Sequence, residues 1–166
     1  RAGGSSLYAT GSSPGFITEA LSIPLLSLSR RLDLLTVNEF ADVSSRNSPD
    51  MLFQIMGFGA PRVDFDQRKA EHLKGDFGRS LSQIADAVGL PFDEIEAFGE
   101  NALTRQDVTI AAGTIPKGTV GAMRITVTGK HQGRAVARFR ANWFCTSDVD
   151  APSQGPDAWE FRESGW

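Results

Sequence analysis

The stretch Ala122-Met123-Arg124-Ile125-Thr126-Val127-Thr128-Gly129-Lys130-His131-Gln132-Gly133-Arg134-Ala135-Val136-Ala137-Arg138-Phe139-Arg140-Ala141-Asn142-Trp143 decides the fold. Met123, Ile125 and Val127 alternate with Ala122, Arg124 and Thr126. A turn from Gly129 to Gly133 follows, after which Ala137, Phe139, Ala141 and Trp143 alternate with Arg138, Arg140 and Asn142. A period of two sends successive side chains to opposite faces of a strand, so the segment reads as a hairpin with one apolar face. Its other face carries Arg124, Arg138 and Arg140, either solvated or paired with acidic residues of another strand or subunit. Base rates for charged side chains favour the solvated face, with an interface next.

Working back from the hairpin, the period changes at Pro91. Four or so strand candidates follow it, whereas helical spacing prevails before it, an order that reads as α+β. One strand is expected early, from Leu34 to Val43, on Leu35, Val37 and Phe40. Ser48-Pro49 suits a helix start, and Met51, Leu52, Ile55 and Met56 form an apolar stripe up to Gly57. A polar helix is predicted from Phe65 to Leu73 and an amphipathic one on Leu81, Ile84, Ala85 and Val88, parted by Gly75 to Gly78 and ended by Gly89. Nearer the start, the small residues of Thr10 to Phe16 lead into a helix on Leu21, Leu25, Leu28 and Leu32, which Pro24 should kink or break.

The chain's 166 residues suit one domain, and 40% hydrophobic with 22% charged residues is an ordinary globular composition. The most apolar window, Ile23 to Leu28, is broken by Pro24 and falls short of the ~20 apolar residues that span a bilayer. Seventeen basic against twenty acidic residues give a net charge of -3 with no one-sign block. Nucleic acid is therefore not expected as a partner, because phosphate binding needs a basic footprint. Cys145 is the only cysteine, which excludes an internal disulfide and a cysteine zinc cage and points to a reducing cytoplasm. Arg1-Ala2-Gly3-Gly4 has no initiator methionine and no signal core, so a piece of a longer chain is expected.

No self-contained active site emerges. His72 and His131 read as surface residues, and with Cys145 they make no metal set. Ser12 and Ser13 lack the strand, elbow and helix order of a hydrolase nucleophile. The pairs Asp64/Asp66 and Asp148/Asp150 fit capping and solvation, Glu100 has no evident pKa perturber, and no dinucleotide glycine fingerprint is present. No catalytic residue is assigned. The run Tyr8-Ala9-Thr10-Gly11-Ser12-Ser13-Pro14-Gly15-Phe16 stands out, since small residues let a backbone approach a ligand closely. With N–H groups of the following helix it could hold a carboxamide or phosphate, or be a helix start with nothing bound. Ala112 to Val120, a glycine-bounded turn before a strand, reads by itself as a plain connection.

These residues also carry a resemblance. Tyr8 to Leu21, with Arg30-Arg31-Leu32-Asp33 and Glu39-Phe40-Ala41-Asp42, resembles the C-terminal half of dihydrodipicolinate-reductase-like oxidoreductases. Within them the likeness is to the 2,4-diaminopentanoate dehydrogenase and native amine dehydrogenase branch. Met51-Leu52-Phe53 with Gly57-Phe58-Gly59, Ala112-Gly113-Thr114-Ile115 with Gly118-Thr119-Val120, and Trp143-Phe144 extend it from about Tyr8 to Trp143. The resemblance implies a mixed, largely antiparallel open sheet with helices on one face. It makes residues 1–166 a substrate-binding and dimerisation domain that lacks the family's N-terminal Rossmann domain.

The implied reaction is NAD(P)H-dependent reductive amination of small ketones or aldehydes with ammonia, with NADP or NAD held mainly by the missing domain. By position, Gly11, Ser12, Ser13, Pro14, Gly15 and Phe16 would meet the nicotinamide end of the cofactor, with Ser13 where many relatives carry asparagine. Thr18, Ile23 and Thr114 would line the substrate pocket. The family's acid/base glutamate belongs to the missing domain, so the chain alone is expected to be inactive. The His-His and Lys constellation that holds a dicarboxylate is absent, which favours a small, largely apolar carbonyl substrate. A homodimer through the sheet is expected. The alternatives are a non-catalytic α+β module that oligomerises or binds a small ligand, and part of another imine or dihydrodipicolinate-type reductase.

Overall fold

The computed structural model describes residues 11, 13–61, 64–152, 159 and 161. Ser12 and the expected Tyr8 to Thr10 segment lie outside them. At the centre is the hairpin of β5 (Val120–His131) and β6 (Arg134–Phe144), which pairs Met123 with Trp143, Ile125 with Ala141 and Val127 with Phe139. Its turn is tighter than the sequence suggests. Gln132 and Gly133, at φ of 51° and 73°, form a two-residue connection that matches strand twist, so β5 runs on through Gly129 to His131.

The antiparallel strand β2 (Glu94–Thr104) flanks β5, and β7 (Val149–Asp150) pairs with the end of β2. On the other side β1 (Leu35–Asp42) runs parallel to β6, Leu35 opposite Ala137 and Asp42 opposite Phe144. The five-stranded order β1-β6-β5-β2-β7 is the mixed, largely antiparallel open sheet expected of an α+β chain. A separate two-stranded ribbon joins β3 (Val108–Ile110) to β4 (Gly113–Ile115).

The inner face of the sheet is covered by α1 (Gln67–Ala87), a helix of 21 residues. It replaces the two helices predicted around Gly75 to Gly78. Phe77, Leu81 and Ile84 form one buried stripe against Val127, Ala137, Phe139 and Ala141, with the Phe77 and Phe139 rings stacked at 3.9 Å. Burying such side chains outweighs the ~1 kcal/mol that each helical glycine costs. Gly78 moreover faces Ile95, whose nearest carbon would lie 3.4 Å from a Cβ. Asp66 caps the helix by accepting from Arg68 N at 3.1 Å, as acid pairs at helix starts were expected to do.

Two shorter elements differ from the predicted helices in kind. The first begins as a π-helical turn, π1 (Phe16–Ala20), passes into five α-helical residues at Ser22–Leu26 and ends before Leu32. Pro24 lies in that segment's first turn, where backbone N–H groups lack intrahelical partners and its missing donor costs nothing. Leu21, Leu25 and Leu28 are exposed rather than forming a buried stripe. The second, π2 (Asp50–Met56), follows Ser48-Pro49 as expected and ends at Gly57, φ 92°, whose N–H reaches back to Leu52 O at 3.0 Å.

The outer face corrects the solvated reading of the arginines. Arg124 is 4% exposed and holds Glu100 Oε2 through Nη2 at 2.8 Å and Nε at 3.1 Å. Glu100 lies directly opposite it in the β2–β5 register. Trp159 stacks on the Arg124 guanidinium at 5.1 Å, and Phe161 packs edge-on against Phe144. Arg138 and Arg140 are half-buried on the same face.

Candidate substrate and cofactor site

The turn before π1 is built by short-range bonds. Phe16 N donates to Gly11 O at 2.8 Å, closing a loop over Ser13-Pro14, whose peptide bond is cis. Gly15 sits at φ 138° and ψ -112°, a conformation essentially closed to side chains with a Cβ. Its N–H donates to Thr18 Oγ1 at 2.8 Å and to Glu19 Oε2 at 3.0 Å. Ser80, on the buried face of α1, sets its hydroxyl 2.7 Å from Thr18 Oγ1, and both hydroxyls also bond the Glu19 carboxylate. The turn is therefore fastened to α1 by a polar cluster in which Thr18 is 0% and Ser80 3% exposed.

This geometry revises two expectations. The Gly15 N–H is consumed inside the turn and is not open to a carboxamide. The element behind it is a π-turn that passes into five α-helical residues and not one long α-helix. Thr18, expected in a pocket wall, is fully buried and holds the turn in place. The turn exposes Phe16 at 53%, and the Ser13 hydroxyl oxygen is buried with no hydrogen-bond partner among the described residues.

Ile23 packs on the cluster of Phe77, Leu81 and Phe139. Thr114 lies apart from it, exposed on the β3–β4 ribbon, whose Ile110 and Ile115 pack with Val43, Leu52 and Phe58. The structure thus ties Gly11, Gly15, Phe16 and Thr18 into one turn that meets Ser80 through Thr18, while Ile23 packs on the core beneath the long helix and Thr114 lies exposed on the ribbon.

Sequence reasoning missed an open, largely apolar groove of about 460 Å³ between π2 and the start of α1. Ile125 and Trp143 form its floor, with Ile55, Met56 and Leu73 as walls. Asp66, Arg68, Lys69 and His72 complete the lining. Lys69 Nζ donates to Ile55 O and Met56 O, each at 3.0 Å, pinning the end of π2 to α1. Trp143 Nε1 donates to Glu39 Oε1 at 2.8 Å, which fixes the plane of the indole. The apolar signal was legible in Ile125 and Trp143, but it was absorbed by the hairpin's core face. Nothing local announced that α1 leaves part of that face open.

Exposed large apolar side chains are unevenly spread. Phe16, Ile17, Leu21, Leu25, Leu28, Leu34, Met51 and Ile55 all come from residues 16–55, and Phe98 on β2 is the remaining one among the described residues. Among the described residues no group of three or more His, Cys, Asp or Glu side chains could hold a metal ion, and no helix is long and apolar enough to cross a membrane.

No family model matches the chain. It is similar to an amine dehydrogenase of Streptomyces virginiae, 30% identical over 162 residues, covering 93% of this chain and 45% of that protein. Among solved structures it matches the amine dehydrogenase from Mycobacterium smegmatis with a TM-score of 0.53 at 15% identity, over 89% of this chain and 43% of that one. The structural likeness concerns the fold. The chain spans a little under half the length of each. By sequence it is related to amine dehydrogenases and corresponds to part of one.

Proposed function

We propose that this chain is the substrate-binding and dimerisation half of an NAD(P)H-dependent amine dehydrogenase, which aminates small ketones or aldehydes with ammonia. The similarity over 93% of the chain to an amine dehydrogenase carries this reading. The exposed apolar side chains among residues 16–55 support it, because a pocket-forming half needs apolar side chains to close against a nucleotide-binding half.

The residues fit a nicotinamide cofactor at one point. Ser13, in the proposed cofactor segment of Gly11, Ser12, Ser13, Pro14, Gly15 and Phe16, keeps a buried hydroxyl with no partner among the described residues, as a group waiting for a polar ligand would. Ser13 and the exposed Phe16 would hold the nicotinamide end of NADP or NAD, and the cofactor would supply hydride. The chain's own contribution is a turn kept rigid by Thr18, Glu19 and Ser80, a shaped apolar wall and exclusion of water. Ile23 and Thr114 remain proposed wall residues of the assembled enzyme.

The test is NADPH and NADH oxidation by the full-length protein with a panel of small ketones and aldehydes, each with and without ammonia. Ammonia-dependent oxidation is expected, and the isolated 166-residue chain should give none. Oxidation that ignores ammonia, or no oxidation with any carbonyl, would move the function to another imine reductase or to a binding module.

A further inference from the structure

We propose that Gln67 guards the open edge of β2, and that the surface it guards is self-complementary: without the guard, a second copy of this chain pairs with it strand to strand. This role is independent of any catalytic activity of the assembled enzyme.

β2 lies between β5 and the short β7, which meets it only at Leu103 and Thr104. Thr104 N donates to Thr119 O at 2.9 Å and Thr104 O accepts from Gly118 N at 2.9 Å, both in the segment that leads into β5. Backbone groups alternate sides along a strand, so those of Phe98, Glu96 and Glu94 face β5 as well, and those of Gly99, Ala97 and Ile95 face away. The irregularity near Ala102 places its extra residue, Gly121, in β5, which keeps the alternation along β2. Among the described residues no strand pairs with residues 94–102 on the outward side. Such an edge is a template for another chain.

At Gly99 the edge is already taken. Gln67 Nε2 donates to Gly99 O at 2.9 Å, and Gly99 N donates to Gln67 Oε1 at 3.0 Å. A carboxamide carries the donor and the acceptor of a peptide group, so this side chain stands where one peptide unit of a neighbouring strand would. Its neighbours hold it there, since Asp66 caps α1 and the Phe65 ring lies over Gly99. Position matters as much as chemistry. Antiparallel pairing of two β2 edges about a two-fold axis at Ala97 sets Ala97 against Ala97, and Ile95 of each copy against Gly99 of the other. Both flanking pairs include a Gly99, so the guard on each copy cancels one of them and leaves only the central pair. The same register sets Glu96 opposite Phe98. Glu94 and Glu100 also meet in it, each already paired within its own copy, with Lys130 and Arg124.

The experiment joins sedimentation velocity with residue-resolved hydrogen exchange, both on the chain at rising concentration. In the wild type the Gly99 amide is expected to exchange about tenfold more slowly than that of Ala97, its neighbour on the same edge. Gln67 is exposed, so replacing it leaves the core untouched. Gln67→Ala should lose that difference in dilute solution. On concentration its mass should exceed that of the wild type under the same conditions, with Ile95, Ala97 and Gly99 becoming protected together. Gln67→Ser, too short to reach Gly99, repeats the test independently. Adding Ala97→Pro to Gln67→Ala should restore the wild-type mass, since proline removes an outward N–H and no bond to β5. Equal exchange of Gly99 and Ala97 in the wild type, a mass equal to the wild type's in the folded Gln67 variants at every concentration, or association that survives Ala97→Pro overturns the proposal.

Discussion

Cys145 illustrates how much a single position depends on what closes over it. It is 4% exposed, and burial, with the Asp42 charge nearby, pushes its thiol from the ordinary 9.0 up to about 12. The folded protein therefore favours the neutral thiol. The resulting stability is fully present below pH 9 and is lost as the pH rises toward 12, because the unfolded chain ionises first. Urea unfolding of wild type and Cys145→Ala at pH 8, 10 and 11 checks this: the wild type should lose stability relative to the variant across that series. A constant difference would show that the thiol does not ionise more readily on unfolding. Sequence reading found the lone cysteine and could not place it behind the strand ends. Buried Arg124 teaches the same lesson, since its partner Glu100 is a neighbour only once β2 has found its register on β5.

Among the elements, the hairpin and its apolar face were legible because period two is a local signal. Its register was not, since it is set by the two-residue turn at Gln132-Gly133 rather than by a turn from Gly129 to Gly133. The long helix was not legible either, because Gly75 and Gly78 resemble punctuation until the stripe of Leu73, Phe77, Leu81 and Ile84 is seen to cross them without a break. The π-turns have no sequence period of their own, and their apolar residues suited an α-helix equally well. Two strand glycines show another device. Gly99 and Gly129 lie under the rings of Phe65 and Phe92, and a Cβ there would come within 2.1 Å and 2.3 Å of ring carbons. The aromatic ring fills the place of the missing side chain on each strand. Gly99→Ala is accordingly expected to destabilise by about 1–3 kcal/mol, as overpacked sites do. Thermal unfolding beside Phe65→Ala/Gly99→Ala checks it, the smaller residue at 65 making room and recovering part of the loss.

For the whole molecule, the two faces of the sheet have different tasks. The inner face carries α1, the pinned turn and the groove, and the outer face carries the Arg124–Glu100 pair and the exposed Phe98. The site residues legible in the sequence were those in one contiguous turn. Glu19 and Ser80 went unrecognised because their meeting joins segments some sixty residues apart. If the outer face pairs two copies of the chain, Phe98→Glu should convert a dimer to a monomer at micromolar concentration. Light scattering on both proteins reads this directly, and a wild-type chain that is already monomeric excludes it.

The parallel pairing of β1 with β6 also has a consequence in time. Leu35 meets Ala137 across about a hundred intervening residues, whereas β5 and β6 are joined by a two-residue turn. Closing so long a loop is entropically slower than zipping a hairpin, so β1 is the strand that waits. On the ribosome its residues emerge well before the strand they need. Until β6 is made, Leu35, Val37 and Phe40 are apolar cargo without a berth, a stretch of the nascent chain with use for a chaperone.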